Sequence, residues 1–167
     1  MRFALVMTLV GAAATACAQA PTPATPPAPK TFSSAADVAS MITKAKSERK
    51  PDQANVIQPL LRVAPYTANL EYRVKGVDTT PNVHEHDVEL VYVIEGGGTF
   101  TLGGTLRDER RVNAANVTGS GIDGGASRHI AKGDFILVPE NTAHGFTETD
   151  GTLVIMSLHM PGGGATK

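Results

Sequence analysis

The chain has 167 residues, a length that suits one domain. Its formal net charge is −1, so there is no electrostatic case for nucleic acid or an anionic membrane surface as partner. Seventeen glycines, eleven prolines and no tryptophan suit a turn-rich, all-β protein, and a single cysteine, Cys17, excludes a disulfide framework within one chain.

Residues 1–18 read as an export signal. Arg2 gives the positive end, Phe3 to Ala14 is apolar but too short to span a bilayer, and Ala16-Cys17-Ala18 has the small residues expected before a cut that leaves Gln19 first. Export to the periplasm follows, with no transmembrane segment in the mature chain. Lipid attachment at Cys17 is the weaker alternative, because Ala14-Thr15-Ala16 lacks the large aliphatic residue usual there. Residues 19–30 form a Pro/Ala/Thr linker, extended and unable to build a core.

Residues 31–55 predict a short helix and a connection. Ser33 or Ser34 can cap a start near Ala35, and Val38, Met41, Ile42 and Ala45 recur at i, i+3, i+4 and i+7. Lys44, Lys46, Arg49 and Lys50 suit the C-terminal end of the dipole, and Pro51 stops the helix.

Residues 56–161 turn to strands. Residues 69–75 alternate with period two, and 90–94 form a continuous apolar run. Gly96-Gly97-Gly98 predicts a turn, with a return over 99–102 and a tight turn at Gly103-Gly104. Residues 105–131 predict short strands and tight turns. They include a mixed-charge loop at 107–111 and an Asn116-Val-Thr sequon that export from a bacterial cytoplasm leaves idle. Phe135–Val138 and Leu153–Leu158 complete the strands, and 162–167 is a tail.

Two stretches carry chemistry. His84-Glu85-His86-Asp87-Val88-Glu89 precedes the apolar run, and Gly133 to Phe146 ends in Ala143-His144-Gly145-Phe146. Residues two apart on a strand face one side, so His84 and His86 can point together into a barrel. Glu89 can face them from the next strand, with His144 arriving from a separate hairpin. Imidazole and carboxylate ligands of this kind suit a divalent transition metal: Mn, Fe, Ni, Cu or Zn. Three histidines and a glutamate would leave one or two positions open to a small molecule. Tyr92, Phe146 and His159 are pocket-wall candidates, whereas His129 sits on an expected loop.

The paired stretches resemble the two motifs of the cupin superfamily. Glu89, six residues and Gly96 match the second half of the first, G-x5-H-x-H-x3–4-E-x6-G. Gly133, five residues, Pro139, Glu140, Asn141, two residues and His144 match the second, G-x5-P-x-G-x2-H-x3-N. Asn141 replaces its glycine, which suits a residue that tolerates positive φ, and Glu148 replaces its final Asn. The motifs cover about a quarter of the mature chain. The first departs from the pattern: only two residues separate His86 from Glu89, whereas four separate His84 from it. Two registers stay open. In one, His84 and His86 are ligands with Glu89 and His144; in the other, Asn82-Val83-His84 fills the H-x-H slot and Asn82 takes the fourth place.

The resemblance implies a cupin-like double-stranded β-helix (jelly-roll) barrel with a short N-terminal helix, and a homodimer. It also implies two functional readings. One is a metal-dependent enzyme acting on a small organic substrate by dioxygenase, isomerase or lyase type chemistry. The other is a non-catalytic barrel that binds a small ligand or a metal. Fold membership does not choose between them.

Overall fold

The computed structural model describes residues 27–76 and 80–163. The expected export signal (1–18), the linker up to residue 26 and the tail from residue 164 lie outside these.

Helix α1 spans Ala35–Glu48. Ser34 caps it: its Oγ accepts from the Asp37 amide, and the Asp37 carboxylate accepts in return from the Ser34 amide. Such a cap contributes on the order of 1 kcal/mol. The helix ends at Glu48, before the backbone preceding Pro51 is forced out of helical space. Its stripe of Val38, Met41, Ile42 and Ala45 packs on Leu70, Tyr72 and Val154 of the sheet. The 3.6-residue period of the sequence is therefore spent on one face of one sheet.

The strands are β1 (Asn55–Val63), β2 (Tyr66–Val74), β3 (Asn82–His84), β4 (Asp87–Leu102), β5 (Thr105–Arg107), β6 (Arg110–Arg111), β7 (Asn116–Thr118), β8 (Gly121–Asp123), β9 (Ala126–Ala131), β10 (Phe135–Val138) and β11 (His144–Pro161). Two long strands, β4 and β11, run antiparallel along nearly their whole length and form the spine. β11 carries β2 on its other edge, and β2 carries β1; β4 carries β10 at one end and β9 at the other. Near its start β11 also meets β3, which continues to β7 and β6.

The barrel interior follows from alternation. Val91 and Val93 of β4 and Leu153 and Ile155 of β11 point inward with Phe100, Ile130, Ile136, Val138 and Phe146. Val154, one residue out of phase, faces the helix instead. β2 behaves likewise: Leu70 and Tyr72 lie under the helix, whereas Glu71 sits opposite Ile155 and shares its inward side. Inside, Arg73 Nη2 donates to Glu71 Oε2 at 2.6 Å, and the guanidinium lies 4.5 Å from the Phe146 ring centre.

One expectation is corrected here. Gly96-Gly97-Gly98 is not a turn: β4 passes straight through it and changes neighbours, from β10, paired up to Tyr92, to β9, paired from Gly97 onward. The pairing with β11 shifts register at the same place, between Thr149 and Leu153. Glycine is needed there because the β11 backbone comes so close. A Cβ on Gly96 would stand 1.8 Å from the Thr152 carbonyl oxygen, and one on Gly98 would stand 2.2 Å from that of Glu148. The real turn is Gly103-Gly104, both at positive φ. β11 is also far longer than the expected 153–158 segment, since the apolar run marks only its most buried part.

Candidate metal centre

The interior alternation of β4 ends at Glu89, which is buried. His159 is its partner across the β4–β11 ladder. Ser157, two residues along, points inward in line with Ile155 and Leu153 and is fully buried. His144 opens β11 from its other end, and His84 closes β3. Three separate strands thus deliver His84, Glu89, His144 and His159 to one end of the barrel.

Glu89 Oε2 lies 2.9 Å from His144 Nε2 and 3.7 Å from His84 Nε2. Its other oxygen, Oε1, accepts from the Ser157 hydroxyl at 2.5 Å and lies 3.9 Å from His159 Nε2. The ring centres of His84 and His144 are 5.1 Å apart, and those of His84 and His159 are 4.7 Å apart. Among the described residues, His84, Glu89 and His159 form the group of potential ligand side chains whose nearest atoms all fall within 4.8 Å. His144 and Glu89 side chains are only 6% and 7% exposed, whereas His84 and His159 are 19% and 21% exposed. The approach from solvent is therefore past His84 and His159.

The outer partners fix which nitrogen of each ring carries hydrogen. Asn113 Oδ1 accepts the Ala115 amide at 2.9 Å, so it is an acceptor, and the Asn116 atom facing it must be the donor Nδ2. Asn116 therefore presents Oδ1 to His84 Nδ1 at 2.5 Å, and that nitrogen must donate. His144 Nδ1 likewise donates to the Thr142 carbonyl at 2.9 Å. Both rings are anchored at Nδ1, and both turn Nε2 towards Glu89.

Charge agrees with this arrangement. Burial disfavours a charged Glu89, but the His144 contact and the Ser157 hydroxyl outweigh it and hold the carboxyl at about 2. Burial pushes the His84 imidazole below its ordinary value, towards its neutral, ligand-competent form. A carboxylate oxygen 2.9 Å from a nitrogen whose ring is already anchored at Nδ1 needs a cation or a proton between them. A divalent transition metal meets that need, so this donor set fits one.

The pairing of Glu89 with His144 predicts an acid-labile fold in metal-free protein. The folded carboxyl sits at about 2 against an ordinary 4.5. A depressed value means the stabilisation is complete above about 4.5 and is lost as pH falls towards 2. Urea unfolding of Glu89→Gln should lose stability less steeply across that window than wild type does; equal slopes would show that the carboxylate contributes nothing.

The remaining candidates are placed as follows. His86 lies in the short turn between β3 and β4, is exposed, and its ring is not part of the cluster. The hairpin turns immediately after His84, so the i, i+2 alternation that would align the two rings is broken there. Asn82 shares a strand face with His84 and pairs with His144 across the ladder, but its amide donates to the Thr80 carbonyl. Tyr92 projects from the outer face, stacked 4.6 Å from Phe135, because it is three residues from Glu89 and so on the opposite side of β4. Phe146 is in the barrel core against Phe100, which lies 6.2 Å from His144. His129 pairs with Asp150 on the surface. Asn113, Asn116, Thr142 and Ser157 were not picked out as site residues from the sequence. Only Ser157 left a signal, as a polar residue at an inward position of an apolar strand.

No family model matches the sequence, and no curated protein is significantly similar to it. Solved structures do resemble the fold. An uncharacterized conserved protein with a double-stranded beta-helix domain from Klebsiella pneumoniae is 16% identical, with a TM-score of 0.50 over 69% of this chain and 84% of its own. TT1209 from Thermus thermophilus is 15% identical, with a TM-score of 0.51 over 71% and 93%. The Cnp3 cupin domain of Schizosaccharomyces pombe is 10% identical, with a TM-score of 0.49 over 70% and 71%. At such identities the likeness concerns the fold.

Proposed function

Starting from a chain that has the double-stranded β-helix fold of the cupins, we propose that it is an exported, metal-dependent enzyme acting on a small organic substrate. His84, Glu89 and His144 would hold a divalent transition metal. One observation carries the reading: three potential ligand atoms from three strands converge while both imidazoles spend their Nδ1 hydrogens on fixed outer partners. A metal there supplies Lewis-acid polarisation and, with a redox-active ion, electron transfer.

The chain's own residues do the rest. His84 and His159 border the approach from solvent, and Asp87 Oδ2 lies 4.0 Å from His159 Nδ1 on that side. A small molecule arriving there meets the polar atoms of His84, His159 and Asp87 first. His86 stays outside the ligand set. Export rests on Arg2, the apolar 3–14 segment and Ala16-Cys17-Ala18. A homodimer is supported by Phe135 and Leu137, 68% and 58% exposed on strand β10, which among the described residues pairs with β4 alone.

Elemental mass spectrometry of the mature, untagged protein, run beside light scattering, tests this. About one transition metal per chain in a particle of twice the chain mass is expected. A protein that stays metal-free after reconstitution with Mn, Fe, Ni, Cu and Zn would overturn the enzyme reading and leave a barrel that binds its ligand by hydrogen bonds.

A further inference from the structure

We propose that His159, although it stands within ligand distance of the cluster, is not a metal ligand but the outer half of a Ser157–His159 clamp that aims Glu89. The inference rests on the metal reading above and follows from counting hydrogens. Glu89 is ionised, so its Oε1 can only accept, and the neighbouring Ser157 hydroxyl must donate to it. A hydroxyl has one hydrogen. The contact of 3.1 Å between Ser157 Oγ and His159 Nε2 therefore draws its hydrogen from the imidazole. With that hydrogen in place Nε2 has no lone pair for a metal, whether or not Nδ1 is protonated as well. Nδ1 points elsewhere, towards Asp87.

Distance alone would pick His84, Glu89 and His159 as the ligand group. Hydrogen accounting separates them by partner instead: His84 and His144 turn Nε2 to Glu89 Oε2, where a metal can take the place of a proton, whereas the Nε2 hydrogen of His159 is held by the Ser157 hydroxyl. The clamp has a mechanical consequence. Oε1 of Glu89 is held by Ser157, so the carboxylate cannot turn and must offer Oε2 towards His144 and His84. Ser157 is fully buried and His159 braces it from the mouth, so entry of a small molecule beside His159 bears directly on the aim of Glu89. His159 is a positioning residue.

The test has two arms. In the first, long-range nitrogen–proton NMR on metal-free protein at mildly alkaline pH reads the tautomer of His159. The hydrogen is expected on Nε2; finding it on Nδ1 overturns the clamp regardless of whether any metal binds. In the second, cobalt(II) is titrated into wild type, His159→Gln, His159→Ala, Ser157→Ala and His144→Ala while visible absorption is followed. The Gln amide can still donate to Ser157, so His159→Gln should keep its stoichiometry, its spectrum and its affinity within about threefold. His159→Ala should fall below it, and Ser157→Ala should weaken binding about 10- to 100-fold. If His159→Gln loses cobalt as completely as His144→Ala, His159 is a ligand and the proposal fails. If wild type takes up no cobalt, the metal reading fails by itself, and the tautomer still decides the clamp.

Discussion

His84→Ala and His144→Ala are expected to purify with little or no metal, and His86→Ala with the wild-type amount. This contrast is the largest effect expected of any substitution in the chain. His144 Nε2 stands 2.9 Å and His84 Nε2 3.7 Å from the same Glu89 oxygen, with their Nδ1 atoms anchored on Thr142 and Asn116. Removing either leaves two donors on a buried carboxylate site, and affinity should drop by more than about 100-fold, beyond what an outer-partner loss causes. Asn116→Ala removes only the anchor of His84 and should cost about 10- to 100-fold. His86 is exposed in a turn, so its loss removes no member of the cluster. Elemental analysis of the purified variants reads all four. A metal-free His86→Ala beside a metal-replete His84→Ala would reverse the ligand set.

Gly96→Ala is expected to unfold at much lower urea than wild type. The new Cβ would stand 1.8 Å from the Thr152 carbonyl oxygen, and the residue holds φ at 77°, where an L side chain is strained. The β4–β11 pairing is the spine of the fold, so the two backbones cannot separate without loosening both faces of the barrel. Overpacking typically costs about 1–3 kcal/mol and the strained φ about 1 kcal/mol more, a large share of a total stability of about 5–15 kcal/mol. Gly98→Ala, at 2.2 Å from the Glu148 oxygen, should be comparably damaging. Gly163→Ala meets nothing within 4 Å and should shift stability by less than about 0.5 kcal/mol. Urea midpoints compare the three, and a wild-type midpoint for Gly96→Ala would show that the strands can part at no cost.

Local sequence rules go a long way in this chain. The stripe of Val38, Met41, Ile42 and Ala45, with Ser34 before it and Pro51 after it, fixes α1, because capping and periodicity act within a few residues. The two-residue period of a strand sets which side chains along 89–93 and 153–157 share a face, but both runs are largely apolar, and only the packing shows which face is inward. Asn141 was legible too: it replaces a glycine and adopts φ of 54°.

The sequence by itself determined that this is an all-β barrel with a helix on one face and carboxylate and imidazole donors near its strands. The tertiary structure decided which donors meet. His84 and His86 are equivalent in composition and nearly so in position, and only the turn that follows β3 separates them. Gly96 to Gly98 looked like a turn because glycine marks both a reversal and a close backbone passage. The nearness of β11 some fifty residues later selects the second. Ser157, Asn116 and Thr142 gain their roles only from partners on other strands, and a hydrogen bond between strands leaves no periodic trace in either of them.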